Sequence, residues 1–88
     1  MPSRTVTVAS TVGLHARPAG LFAAEAAKQA VLVTIGKPGD EAVDARSVLS
    51  VPTLDVRHGD DVVLTADGDG AEVALDALQA LLQIDHDA

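Results

Sequence analysis

Thr11-Val12-Gly13-Leu14-His15-Ala16-Arg17-Pro18 reads as a loop that turns into a helix, and the place of that turn divides the chain around it. Pro18 suits the first helical turn, where its missing N–H costs no hydrogen bond. Downstream, Ala19, Phe22, Ala23, Ala26 and Ala30 recur at spacings of three and four, one apolar face through about Ala30. Small alanines let this helix pack closely, with Phe22 as its bulky anchor. Gly20 inside it costs about 1 kcal/mol relative to alanine. Upstream, Arg4 to Ala9 alternates, with Val6 and Val8 on one face and Thr5 and Thr7 on the other, which predicts a half-buried strand.

Beyond the helix, Val31 to Ile35 reads as a second strand, closed by the turn residues Gly36, Pro38, Gly39 and Asp40. A short third strand near Glu41–Ala45 completes a hairpin. Ser47 is placed to cap a short helix through about Leu54, and Val62 to Ala66 forms the fourth strand. Asp69 and Glu72 stand in capping-box spacing before a last helix. That helix carries Ala74, Leu75, Leu78, Leu81 and Leu82 on one stripe and frays into Asp85-His86-Asp87-Ala88. The order β-α-β-β-α-β-α has no linker or repeat. It predicts an α+β fold, an open-faced β-sandwich with a four-stranded antiparallel sheet and three helices on one face. A single domain over 1–88 is expected, since 88 residues hold one modest core.

The composition narrows the function classes. The chain is 48% hydrophobic and 22% charged, which argues against disorder. It has no Cys, Trp or Tyr, which excludes disulfides and thiolate metal sites. The start, Met1-Pro2-Ser3-Arg4-Thr5, lacks a signal pattern. Glu25 and Lys28 interrupt the alanine-rich stretch too soon for membrane insertion. A net charge of −7 argues against nucleic acid and anionic membranes. The charge is uneven, however. Residues 1–39 set Arg4, Arg17, Lys28 and Lys37 against Glu25 alone, while residues 40–88 set Arg46 and Arg57 against twelve acids. An anion therefore has its place in the first half.

Within that half, Gly13 to Ala19 carries the chemistry. A histidine just before a helix start lies near the positive end of the helix dipole, a field that disfavours the imidazolium. First-turn N–H groups point outward there and can hold an anion. Arg17 adds a planar guanidinium suited to phosphate oxygens, and Gly13 lets the backbone turn the ring outward. Together they suit transient phosphorylation of His15. The plainer reading is a surface or capping histidine beside an ordinary arginine, because short patterns are weak signals.

The segment Gly13-Leu14-His15-Ala16-Arg17-Pro18-Ala19 resembles the active-site signature of HPr, the histidine-containing phosphocarrier family of the bacterial phosphoenolpyruvate-dependent sugar phosphotransferase system. The element order is similar across nearly the whole chain, including Ser47 at the start of the short helix and Gly59 before the last strand. The resemblance implies that enzyme I phosphorylates His15 on Nδ1, and that the phosphoryl group passes to the A domain of a sugar-specific permease. Arg17 would neutralise that group, and the N–H groups of Ala16 and Arg17 would help hold it. The carrier would be a cytoplasmic monomer without cofactor or metal, and not an enzyme. Ser47 matches a position that an HPr kinase/phosphorylase modifies in many relatives, although its side chain also serves as an N-cap. Val48, Leu49 and Pro52, with Gly20 and Ala24 on the first helix, fall on the family's docking face. Pro52 departs from the usual long apolar residue, and Ala24 and Ala27 stand where relatives often carry lysine. A shortened second helix is the expected effect of Pro52.

Other signals read better as structure. His58 and His86 have no zinc-like spacing with His15. Asp67-Gly68-Asp69-Gly70 has part of a calcium-loop pattern, but Glu72 and Leu78 break it. Asp60 and Asp61 are adjacent on a strand and point to opposite faces. No nucleophile, base and acid set argues for a hydrolase. The alternative to a carrier is a regulatory docking module of the same fold, switched at Ser47.

Overall fold

The computed structural model describes residues 2–10 and 13–84. Its strands are β1 (Ser3–Thr7), β2 (Val33–Gly36), β3 (Val43–Asp44) and β4 (Asp61–Ala66). They form one antiparallel sheet in the order β1-β4-β2-β3. Among the described residues there are two α-helices, α1 (Ala16–Ala27) and α2 (Ala71–Leu82).

Period-two alternation sorts the sheet into two faces. Val6 pairs with Val62, and Ile35 with Leu64, so the buried valines, isoleucine and leucine of three strands share one side. Phe22, Ala19 and Ala26 of α1, and Ala71, Ala74, Leu75, Leu78 and Leu82 of α2, join them in a single core. Phe22 is fully buried, the anchor its spacing predicted. Arg4 sits on the same sheet side as Val6, at the edge where α2 passes. Its guanidinium meets Glu72, Asp76 and Gln79, a stripe along one face of α2. The edge of the core is thus closed by an ionic clasp.

Two expectations need correction. The predicted second of three helices is not an α-helix: residues Val51–Leu54 form a single 3-10 turn, leaving two α-helices. Pro52 explains the break, because an α-helix from Ser47 would need an N–H at residue 52 to bond the Val48 carbonyl. One bond of α-helical span forms, from Val51 N–H to the Ser47 carbonyl, and Thr53 and Asp55 then bond three residues back, to Ser50 and Pro52. The second correction concerns α2, whose N-cap is Gly70 in the left-handed conformation, with no side-chain cap. Glu72 is therefore not half of a capping box with Asp69; it pairs with Arg4 at 2.7 Å. The predicted fraying at 85–88 lies outside the described residues.

Candidate functional site

Gly13 fixes the approach to α1. Its φ of +72° favours glycine, and a Cβ there would come within 2.1 Å of the Val56 carbonyl oxygen. The next residue, Leu14, donates its N–H to that same carbonyl at 2.9 Å. Leu14 and Val56 are both buried, so the loop before α1 is pinned to the segment after the 3-10 turn. Gly13 thus does more than free the backbone: it lets two chain segments touch. That contact brings residues 15 and 55 side by side, 40 positions apart in sequence.

His15 is the N-cap of α1, with extended φ and ψ of −123° and 161° and no capping bond from its side chain. The ring is half-exposed, and its Nε2 lies 3.6 Å from Asp55 Oδ1. Among the described residues this is the ring's one polar contact, and it leaves Nδ1 uncommitted. Ala16, Arg17 and Pro18 open the helix. Helical geometry gives their N–H groups no partner within the helix, and Pro18 has none to offer, so those of Ala16 and Arg17 remain available. The first turn contains no acidic residue. Arg17 is exposed and, among the described residues, makes no ion pair. A half-exposed imidazole, unfilled amides and an unpaired cation therefore meet at one helix end, which suits a multiply charged oxyanion.

Asp55 is the residue that sequence reasoning missed. It adopts φ +54° and ψ 44°, the left-handed conformation, at the end of the 3-10 turn. The signal was present: aspartate tolerates that conformation, and a turn's end is where it is needed. Arg57 Nη2 donates to Asp55 Oδ2 at 3.2 Å. This hydrogen bond and the charge of Arg57 hold the Asp55 carboxyl below the usual carboxylate range, with smaller help from Lys37 and His15. Lys37 is itself 3.7 Å from Asp60, whose carboxylate also accepts the Arg57 backbone N–H.

The remaining predicted residues lie nearby in the fold but not at the ring. Ser47 Oγ accepts the Ser50 N–H at 3.0 Å, so it caps a turn as expected, although no α-helix follows. Val48 and Leu49 are exposed, Leu49 at 82%, while Val51 enters the core and Pro52 is half-buried. Gly20 and Ala24 are exposed on α1, which packs against the 3-10 turn. His58 Nδ1 lies 3.1 Å from the Ala9 carbonyl and so ties its loop to the segment that follows β1. Among the described residues, no three His, Asp or Glu side chains gather as metal ligands would, and no helix is long and apolar enough to cross a membrane.

Fold and site together define an α+β protein that presents a histidine at an anion-ready helix start. A family model described as "PTS HPr component phosphorylation site" matches residues 2–83. The phosphocarrier protein HPr of Haloferax volcanii is 49% identical over 80 residues, covering 90% of each chain. That of Streptomyces coelicolor is 43% identical, covering 93% of this chain and 88% of its own. The crystal structure of HPr from Bacillus anthracis superposes with a TM-score of 0.87 at 36% identity, covering 93% of this chain and 96% of that one. The chain belongs to the HPr family, the phosphocarriers of the phosphotransferase system.

Proposed function

We propose that residues 1–88 act as one carrier domain and that His15 Nδ1 is the atom that carries the phosphoryl group. The Nδ1 lone pair attacks phosphorus on phospho-enzyme I, a new P–N bond forms as the bond to the donor breaks, and the group later leaves to the A domain of a sugar-specific permease. Arg17 and the N–H groups of Ala16 and Arg17 meet the oxyanion charge in transit. Catalysis of this kind rests on positioning and charge stabilisation, so the chain works as a carrier and not as an enzyme with its own turnover. The relay runs in the cytoplasm, with the chain as a monomer and no bound cofactor. The observation that supports this reading is the α1 start, where Nδ1 is uncommitted and no acid occupies the first turn.

Partners dock, in this reading, on the face formed by Val48, Leu49 and Pro52 together with Gly20 and Ala24. Ser47 is a candidate for modification by an HPr kinase/phosphorylase. Phosphate there would add about two negative charges close to the exposed Val48 and Leu49 and weaken docking without unfolding the chain.

The test is incubation with phosphoenolpyruvate and enzyme I. The label should be acid-labile and alkali-stable, absent from His15→Ala and unchanged in Ser47→Ala. Label that persists in folded His15→Ala contradicts the assignment.

A further inference from the structure

The site contains a charged side chain that phosphoryl transfer, as described, does not use. Asp55 is held from both sides: its backbone by the left-handed conformation that closes the 3-10 turn, its carboxylate by Arg57 at 3.2 Å. Its second oxygen faces His15 Nε2 at 3.6 Å, just beyond a hydrogen bond and within reach of one after a small ring movement. The backbone bond from Leu14 to Val56 holds the two residues in register. We propose that Asp55 is a positioning residue for phosphoryl transfer, which keeps the proton of His15 on Nε2 and turns the Nδ1 lone pair toward the incoming phosphorus. This rests on the assignment of His15 as the phosphoryl acceptor.

The chemistry has two parts. In the free ring one nitrogen carries the proton, and a carboxylate beside Nε2 favours that tautomer, leaving Nδ1 as the nucleophile. In the phosphorylated ring the same carboxylate favours the form protonated at Nε2. That form has the better leaving group, because the imidazole departs neutral when the N–P bond breaks. Asp55 stays anionic under working conditions, since Arg57 and then Lys37 hold its carboxyl below the usual range.

Among the described residues, the charged groups around the pair are few. Arg17 comes from α1, Lys37 from the turn after β2, and Arg57 and Asp60 from the loop before β4, with Asp60 engaged by Lys37. The cations lower the potential cost of an anion at Asp55, and Arg17 stands two residues from the ring to receive phosphate oxygens. A carboxylate close to a phosphoryl site would otherwise repel the group, and its separation onto the Nε2 side of the ring avoids this.

The main variant is Asp55→Gly, which removes the carboxylate at a backbone conformation glycine adopts without strain, so the fold is retained. Imidazole nitrogen NMR on the unphosphorylated protein should show His15 largely protonated on Nε2 in the parent chain and as a mixture of tautomers in Asp55→Gly. The pH at which transfer from the phosphorylated protein to an A domain falls to half should drop by about half a pH unit, the size an exposed ion pair supports. Asp55→Asn, whose carbonyl oxygen still accepts the Nε2 proton, should keep the parent tautomer and yet show the same drop in the transfer profile. A merely structural role for Asp55 would move neither readout. Folded Asp55→Gly with the parent tautomer ratio and the parent pH profile overturns the proposal. Label retained in His15→Ala would instead overturn the acceptor assignment, and the tautomer measurement would still report the coupling of the two side chains.

Discussion

The two α-helices of this protein begin in opposite electrical states. α2 starts at Gly70, with Glu72 in its first turn, and that glutamate is engaged by Arg4 from the sheet edge. α1 starts at His15 with no acid in its first turn and with an exposed arginine two residues on. A helix N-terminus is stabilised by negative charge. α2 takes that charge from its own sequence and uses it to fasten strand to helix. α1 has no acid in that position, which is where the proposed reading places the travelling phosphoryl group. Stability is served at one end and transfer at the other.

The sharpest way to break the contrast is at Gly13. Gly13→Ala puts a methyl group into the Val56 carbonyl and a side chain at φ +72°. The expected loss is about 2–4 kcal/mol of folding stability, read by urea unfolding, together with loss of phosphorylation. A variant as stable as the parent would mean that the α1 loop is not pinned where His15 requires it.

Arg17 is the next test. Arg17→Ala should leave the melting temperature nearly unchanged and slow transfer by roughly 100-fold, the scale of losing one charge-stabilising donor at a reacting oxyanion. Arg17→Glu gives α1 the charge that α2 already has. It should slow transfer further while stabilising the helix slightly. Equal transfer rates in parent and Arg17→Ala proteins would remove Arg17 from the site.

Arg4 probes the other helix. Arg4→Gln releases Glu72 and Asp76 from the sheet and should lower the melting temperature by a few degrees, with transfer unaffected. A smaller effect still is expected at Asp44. Its carboxyl is held below the usual range by a side-chain hydrogen bond from Arg46, then by the Arg46 backbone N–H. Its contribution is therefore present above the unfolded carboxylate value of about 3.9 and is lost as pH falls through the lower folded value. Asp44→Asn should flatten the acid limb of the stability curve below about pH 4. An unchanged limb would show that the pair contributes nothing measurable.

Much of this arrangement was legible in the sequence, and the failures share a cause. The alternation of Val62, Leu64 and Ala66, and the stripes through Phe22 and Leu78, are local periodicities that burial enforces, so the sheet and both α-helices were predictable. The place of His15 and Arg17 at a helix start was readable because the signals for that start lie within three residues of sequence. The middle element was half-readable. Pro52 announced a shortened helix, and the 3-10 turn is its outcome. Glu72 was misread because capping-box spacing is local, whereas its actual partner, Arg4, is 68 residues away. Asp55 carried a signal for its turn but none for its neighbour His15, for the same reason. Its meaning comes from the Leu14–Val56 hydrogen bond, a contact that no spacing rule contains.

The account stands most directly on where the phosphoryl group sits. Imidazole nitrogen NMR of the protein phosphorylated by phosphoenolpyruvate and enzyme I resolves that atom. We predict one phosphoryl group, on His15 Nδ1, with Nε2 retaining its proton. A phosphoryl group on His15 Nε2, on His58 or on a hydroxyl would contradict the reading of α1 as an open anion site built around Nδ1.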